Sequence, residues 1–230
     1  MSNSIIIIPS RLAATRLPQK PLIKINNKTL IMHVYEKAVQ SQIGEVYVAT
    51  CDEEIASEVR KNGGKFIMTD INHTTGTDRV FEASQKLDLK DIDFIMNIQG
   101  DEPMLNSNDI QKVIDKMIEN PNHIINCMAP LNKHENVEDK KIPKVITNLN
   151  DELIWCSRSP LPGTKQGSTS NPLKQVCIYG FNREHLKSFW EYGKKTPLEF
   201  QEDIEIDRFI EMGYKVKMVM VDNVSHAVDY

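Results

Sequence analysis

Four consecutive isoleucines at positions 5–8 constrain the fold more than any other stretch of this chain. An apolar run this uniform reads as a strand buried on both faces, as in a parallel sheet. The segment that follows, PSRLAATRLPQKPL at 9–22, carries Arg11, Arg16 and Lys20 on a loop pinned by Pro9, Pro18 and Pro21. Open parallel sheets bind ligands in the crevice outside the carboxyl ends of their strands. A cationic loop delivered to that crevice calls for an anionic ligand, most simply a triphosphate. For any one of these cations a solvated basic loop is the plainer reading. Three of them within ten residues, stiffened by prolines, favour the functional one.

Downstream the pattern alternates. Leu30, Ile31, Val34, Tyr35, Ala38 and Val39 have helical spacing within 28–42, and EVYVAT at 45–50 reads as a strand. Asp52 is expected to cap a helix that Gly63 and Gly64 end. A short strand at 65–68, a helix at 80–87, a buried strand at 93–98 and a helix capped by Ser107 and running to Ile118 follow. Strand and helix in alternation predict an α/β fold with a doubly wound, mostly parallel sheet. From residue 124 the rhythm changes to short strands at 124–129, 144–147, 153–157 and 175–181, joined by turn-rich links. The link at 159–172, rich in Pro, Gly, Ser and Thr, reads as a substrate or interface loop. We expect a β-rich insertion, a small lobe at about 124–181, within one domain spanning 1–230. Helices at 183–192 and 201–212 and a strand at 214–221 complete the pattern.

Composition excludes several classes. A net charge of −4 gives no overall field for nucleic acid, so any anion site must be local. No run approaches the roughly 18 apolar residues of a membrane span, and MSNSIIII lacks the basic region of a signal peptide. Cys51, Cys127, Cys156 and Cys177 are scattered without a CxxC pair and read as reduced thiols of a cytoplasmic protein. The last three lie in apolar runs, where core packing is the expected role. The six histidines lack ligand spacing, and no GxSxG, P-loop or GxGxxG pattern occurs.

Two further segments carry chemistry. NIQGDEP at 97–103 follows a buried strand, with Gly100 permitting close backbone approach and Asp101 at the strand's carboxyl end. A carboxylate there, facing the cations of the first loop, suits a Mg²⁺ ligand, since magnesium is commonly held by one or two carboxylates plus substrate phosphates. Asp229 in HAVDY is a candidate second carboxylate. HTTGTDR at 73–79 places Thr75, Gly76 and Thr77 where they can meet a base edge, with Arg79 nearby; Thr77 can equally cap the next helix.

Taken in order, IIIIPSRLAATRLPQKPL, HTTGTDR, NIQGDEP, WCSRSPLP, CIYGF and the final AVD resemble the 3-deoxy-manno-octulosonate cytidylyltransferases, the CMP-KDO synthetases. The resemblance covers essentially the whole chain. It implies a nucleotide-diphospho-sugar transferase-like fold and a cytosolic, Mg²⁺-dependent, usually dimeric enzyme. Such an enzyme joins CTP to an eight-carbon 3-deoxy-ulosonic acid, releases pyrophosphate and serves lipopolysaccharide or capsule synthesis. By the same resemblance, Arg11, Arg16 and Lys20 grip the triphosphate. Thr15, Thr75, Gly76, Thr77, Arg79, Gln99 and Gly100 help hold the nucleotide, and Asp101 and Asp229 hold the metal. Catalysis falls to Arg16, Lys20, Asp101 and Asp229, and the sugar acid to Arg158, Gln175, Tyr179, Glu199 and Glu205.

The chain departs from the family at Ala14 and Gln19, commonly Ser and Gly, and on the sugar side at Gln175 for a histidine and Ile206 for a glutamine. These sugar-side changes raise the expectation of a related but different ulosonic acid. The sequence stops at Tyr230, short of the helix that commonly follows the last aspartate in the family, so Asp229 is expected to be less firmly placed. A synthetase for nine-carbon, sialic-type acids is the alternative within the enzymes. A nucleotide-binding regulatory protein that has lost turnover is the alternative outside them.

Overall fold

The computed structural model describes residues 3–13, 17–87, 93–165, 167 and 171–222. Strand β1 (Ser4–Ser10) is buried along its whole length. It runs parallel to β4 (Gly44–Thr50) on one side and β6 (Phe94–Ile98) on the other, with Ile6 opposite Val46 and Met96. Successive strand residues face opposite ways, so the isoleucine run divides between two cores. Ile6 and Ile8 join Ile31 and Val34 of α1 (Leu30–Gln40), Ile55 and Val59 of α2 (Glu53–Lys61), and Ile110 and Val113 of α4 (Ser107–Glu119). Ile5 and Ile7 meet Val80 and Ala83 of α3 (Gly76–Lys86), Leu186 and Phe189 of α5 (Arg183–Tyr192) and Phe209 of α7 (Ile206–Glu211). Each buried isoleucine contributes roughly 1.5–3 kcal/mol, so this one strand anchors both helical layers.

The sheet order is β11–β7–β10–β6–β1–β4–β5, with β5 (Lys65–Met68), β7 (Ile124–Pro130), β10 (Leu173–Phe181) and β11 (Val216–Met220). Every neighbouring pair along this path is parallel except those made by β10, which is antiparallel to both β6 and β7. The stretch expected as a β-rich insertion therefore divides. β7 and β10 lie inside the central sheet, and Ile125, Cys127, Ala129, Val176 and Ile178 share the core of Ile6 and Ile8. Only β8 (Lys144–Thr147) and β9 (Leu153–Ser157) leave the main path, with β8 pairing to Leu173 and Lys174 at the start of β10.

Several boundaries differ from the periodicity. Lys24–Ile25 (β2) and Lys28–Thr29 (β3) form a small hairpin before α1, turning at Asn26 and Asn27 with φ of 50° and 66°. Asparagine tolerates that left-handed region. Asn106, not Ser107, caps α4, its side chain accepting from the Asn108 N–H. The helix expected at 201–212 is two, α6 (Pro197–Glu202) and α7, separated at Asp203 with φ 52°.

The chain passes from β1 to β4 and β5 on one side, then returns to β6 on the other. That reversal is a topological switch point, and the loops after β1 and β6 both emerge there. Among the described residues no helix is long and apolar enough to cross a membrane.

Candidate active site

A cavity of about 470 Å³ opens at the switch point, lined from one end by the loop after β1 and from the other by β10 and the 195–205 segment. On the first side the cationic loop leaves β1 and is tied back by Asp52, whose Oδ2 accepts from the Leu12 N–H at 2.7 Å. Asp52 was expected only as a helix cap. It occupies the N-cap position of α2, but its side chain makes no cap bond there. Gln19 takes a left-handed conformation, φ 57°, and starts the short 3₁₀ turn Lys20–Leu22.

Lys20 Nζ then reaches Asp101 Oδ2 at 2.8 Å, with the lysine side chain 13% and the aspartate 32% exposed. Two glycines allow this closeness. A Cβ at Gly100 would come within 3.3 Å of Ile31 and 3.4 Å of Ile8 and the Pro9 carbonyl. A Cβ at Gly76 would meet Pro9 at 3.3 Å, Gln99 at 3.4 Å and Glu205 at 3.5 Å. Side chains of Pro9, Gln99 and Glu205 thus crowd Gly76, and those of Ile8 and Ile31 with the Pro9 carbonyl crowd Gly100. Arg11 is exposed and lines the cavity with Lys20, Gln99, Gly100 and Asp101.

At the α3 terminus Thr75 caps the helix, its Oγ1 accepting from the Asp78 N–H at 3.1 Å. The next two N–H groups, of Gly76 and Thr77, donate to Glu205 Oε1 and Oε2, each at 2.9 Å. A carboxylate therefore already occupies the anion site that a helix N-terminus offers. Burial pushes the Glu205 carboxyl up, against the two N–H donors that favour its charge. Thr75, Gly76 and Arg79 line the cavity. Thr77 does not: it is buried, and its Oγ1 accepts from Asn97 Nδ2 at 3.4 Å. Arg79 donates through Nη1 to Thr69 Oγ1 and to the Asp70 carbonyl, whereas its buried Nη2 has no partner among the described residues.

The sugar-side residues also converge, but most are engaged with the protein itself. Arg158 donates through Nε, Nη1 and Nη2 to the carbonyls of Glu202, Lys140 and Asp203. These acceptors are neutral, so they hold the guanidinium in place without cancelling its charge. Glu199 lines the cavity, yet it is fully buried and forms a two-pronged pair with Arg208, at 2.6 Å to Nε and 2.8 Å to Nη2. Its role is to brace the wall from behind. Tyr179 is buried and its phenol is pushed well up by that burial, so it is a neutral hydroxyl. Ile206, where the family commonly has glutamine, packs in the core with Phe209 and does not line the cavity. Cys177 packs against the core as expected and also lines the cavity, and burial pushes its thiol up.

Lys141 and Lys195 also line the sugar side and were not anticipated, and Lys195 pairs with Asp203. Thr15, Arg16 and Asp229 lie outside the described residues. Among the described residues no three His, Cys, Asp or Glu side chains are grouped to hold a metal ion.

A family model of cytidylyltransferases matches residues 5–218. The 3-deoxy-manno-octulosonate cytidylyltransferase of Escherichia coli is 33% identical over 230 residues, covering all of this chain and 92% of that protein. This chain is a member of the 3-deoxy-manno-octulosonate cytidylyltransferase family. The Fusobacterium nucleatum enzyme of that name is 40% identical over 220 residues, 93% of this chain and 86% of the other. A solved structure of CMP:2-keto-3-deoxy-manno-octonic acid synthetase complexed with CTP superposes with a TM-score of 0.90 at 33% identity, covering 99% of this chain and 93% of that one. The fold extends further, to a 4-diphosphocytidyl-2C-methyl-D-erythritol synthase of Anaerococcus prevotii, with a TM-score of 0.64 at 12% identity. The fold described above is thus that of the cytidylyltransferases.

Proposed function

We infer that this protein transfers the cytidylyl group of CTP to a 3-deoxy-ulosonic acid, releasing pyrophosphate. The observation that carries this is the meeting of Lys20 and Asp101, 2.8 Å apart, in a cavity also lined by Arg158, whose guanidinium donates to three backbone carbonyls. Cations at one end suit a triphosphate, and a guanidinium at the other suits a carboxylate.

In this reading Arg11 and Lys20 bind the triphosphate and offset the charge that develops on departing pyrophosphate, with Arg16 the third cation of the loop. Arg79 and the Gln99 amide, which both line the cavity, orient the nucleotide. Arg158 orients the sugar carboxylate. In-line attack of the anomeric hydroxyl on the α-phosphorus then needs positioning and charge neutralisation more than a covalent intermediate. His73 lines the cavity, with its Nε2 paired to Glu82.

The same reading includes Mg²⁺. Asp101, one-third open and facing the cavity, fits an ion whose remaining ligands are phosphate oxygens and water. Asp229 is the proposed second carboxylate. When bound, the ion supplies charge neutralisation at phosphate oxygens and acidifies a coordinated hydroxyl. A cytoplasmic homodimer serving lipopolysaccharide or capsule synthesis completes the proposal.

Pyrophosphate release measured with CTP, Mg²⁺ and a panel of eight- and nine-carbon ulosonic acids tests it. Turnover with an eight-carbon acid is expected, and turnover confined to nine-carbon acids would reassign the substrate. CTP binding without release in any arm would leave a nucleotide-binding protein and overturn the reading.

A further inference from the structure

The sugar-side wall contains an irregularity whose hydrogen bonds have only one consistent assignment. Strand β10 pairs Val176 with Cys127 and Tyr179 with Asn126, so Cys177 and Ile178 have no counterparts on β7. Asn126, fully buried, fills this bulge. Its Nδ2 donates to the carbonyls of Val176 and Ile178, at 3.0 and 2.9 Å. A backbone carbonyl only accepts. The Asn126 amide is therefore fixed with its NH₂ on the two carbonyls and its Oδ1 turned to Gln175.

That oxygen also only accepts, so the Gln175 atom 3.0 Å from it is Nε2, a donor. The second Nε2 hydrogen points to the Tyr179 hydroxyl at 3.4 Å. Both donors of Gln175 are thus held inside the protein. What Gln175 retains is Oε1, met among the described residues only by the weak Cys156 thiol donor at 3.8 Å. Gln175 lines the cavity, and Asn126 does not.

We propose that Asn126 is a positioning residue that fixes Gln175 as an acceptor on the sugar-acid wall, so that the substrate meets it with a hydroxyl. The proposal rests on the cytidylyltransferase reading above and names what that site selects. A substrate carboxylate or phosphate at this point would face an oxygen lone pair, whereas a hydroxyl satisfies it. Tyr179, neutral and adjacent, accepts from Gln175 and hydrogen-bonds the Cys177 thiol, a weak partner that a substrate hydroxyl can replace. Sites built to hydrogen-bond a substrate hydroxyl reject analogues that lack it far more strongly than apolar pockets discriminate by size.

The test uses the full chain, the best ulosonic acid from the panel and analogues of it each lacking one hydroxyl. For the parent protein, one analogue is expected to lose at least about 100-fold in kcat/KM. Gln175→Met is expected to raise the KM for the sugar acid roughly tenfold, leave the KM for CTP unchanged, and abolish discrimination against that analogue. Asn126→Ala is expected to do the same, and Asn126→Ala with Gln175→Met to be no worse than Gln175→Met alone.

Multiplicative losses in the double variant would overturn the positioning role. An unchanged sugar-acid KM and unchanged discrimination in Gln175→Met would overturn the whole proposal, even if Asn126→Ala fails to fold. Absence of any CMP-linked product from the parent protein would instead overturn the cytidylyltransferase reading, an outcome distinct from both.

Discussion

The two ends of the cavity are built on opposite principles. At the nucleotide end the cations differ in exposure: Arg11 is exposed, Arg79 is buried with an Nη2 that has no partner among the described residues, and Lys20 is paired with Asp101, itself one-third exposed. At the sugar end nearly every polar group is already bonded to protein. Arg158 rests on three carbonyls, Glu199 on Arg208, Glu205 on the start of α3, and Gln175 on Asn126. A triphosphate carries enough charge to be gripped by a few cations that need no exact placement. A sugar acid differs from its relatives by single hydroxyls, and discriminating among them requires donors and acceptors held in place beforehand.

The most damaging change should be at the rigid end. Arg208→Met leaves the Glu199 carboxylate buried without its partner, and breaking such a pair costs about 3–5 kcal/mol. Chemical denaturation should register that loss, and a fully stable variant would remove the brace from the sugar wall. At the open end the expectation is the reverse, chemistry lost with stability kept. Asp101→Asn should lower kcat by roughly 10²–10³-fold with a melting curve close to the parent's. Retained turnover would take Asp101 out of the mechanism.

A third test concerns pH. Asp207, behind the sugar wall, is fully buried, and among the described residues no side chain partners either oxygen. Burial, with the Glu202, Glu211 and Glu199 carboxylates nearby, pushes its carboxyl from 3.8 to about 8. The folded protein therefore holds a proton that the unfolded chain releases above the lower value. Stability then falls as pH rises from 4 to 8, by at most about 1.4 kcal/mol per pH unit. Asp207→Asn removes this slope, so its melting temperature should gain on the parent's across that window and run parallel above it. Parallel curves throughout would show that Asp207 does not titrate there. The smallest effect should follow Asp52→Ala, which frees the Leu12 N–H. A loss of about 0.5–1.5 kcal/mol predicts a few-fold rise in the KM for CTP with the sugar-acid KM unchanged.

The same contrast governs what could be read from sequence. The isoleucine run, the cationic loop and Asp101 are local signals: each is a residue type placed directly after an apolar strand. The start of α3 was legible as a loop with a helix to follow, but not as a terminus filled by Glu205, because that partner lies 128 residues beyond Thr77. Asp52 has two uses open to an aspartate at that place, a cap and a loop anchor, and only packing decides between them. Cys177 packs on the core as its apolar neighbours in IYGF suggest, but it lies in the bulge of β10 and also lines the cavity, which no local pattern announces. Asn126 carried the one usable sign that was overlooked, a lone amide within the apolar run IINCMAP. A buried amide must have partners, and seeking them leads to Gln175.

The reversed strand also orders assembly in time. β5, β4, β1 and β6 are all made within the first hundred residues and can pair as they emerge from the ribosome. β7, though synthesised next, has no seat beside β6, because β10 must lie between them. Until residues 173–181 appear, the nascent chain carries an unpaired, apolar β6 edge, the kind of edge that pairs with other chains. Translation that stalls between β7 and β10 should therefore yield aggregation-prone chains, and a stall after β10 should not.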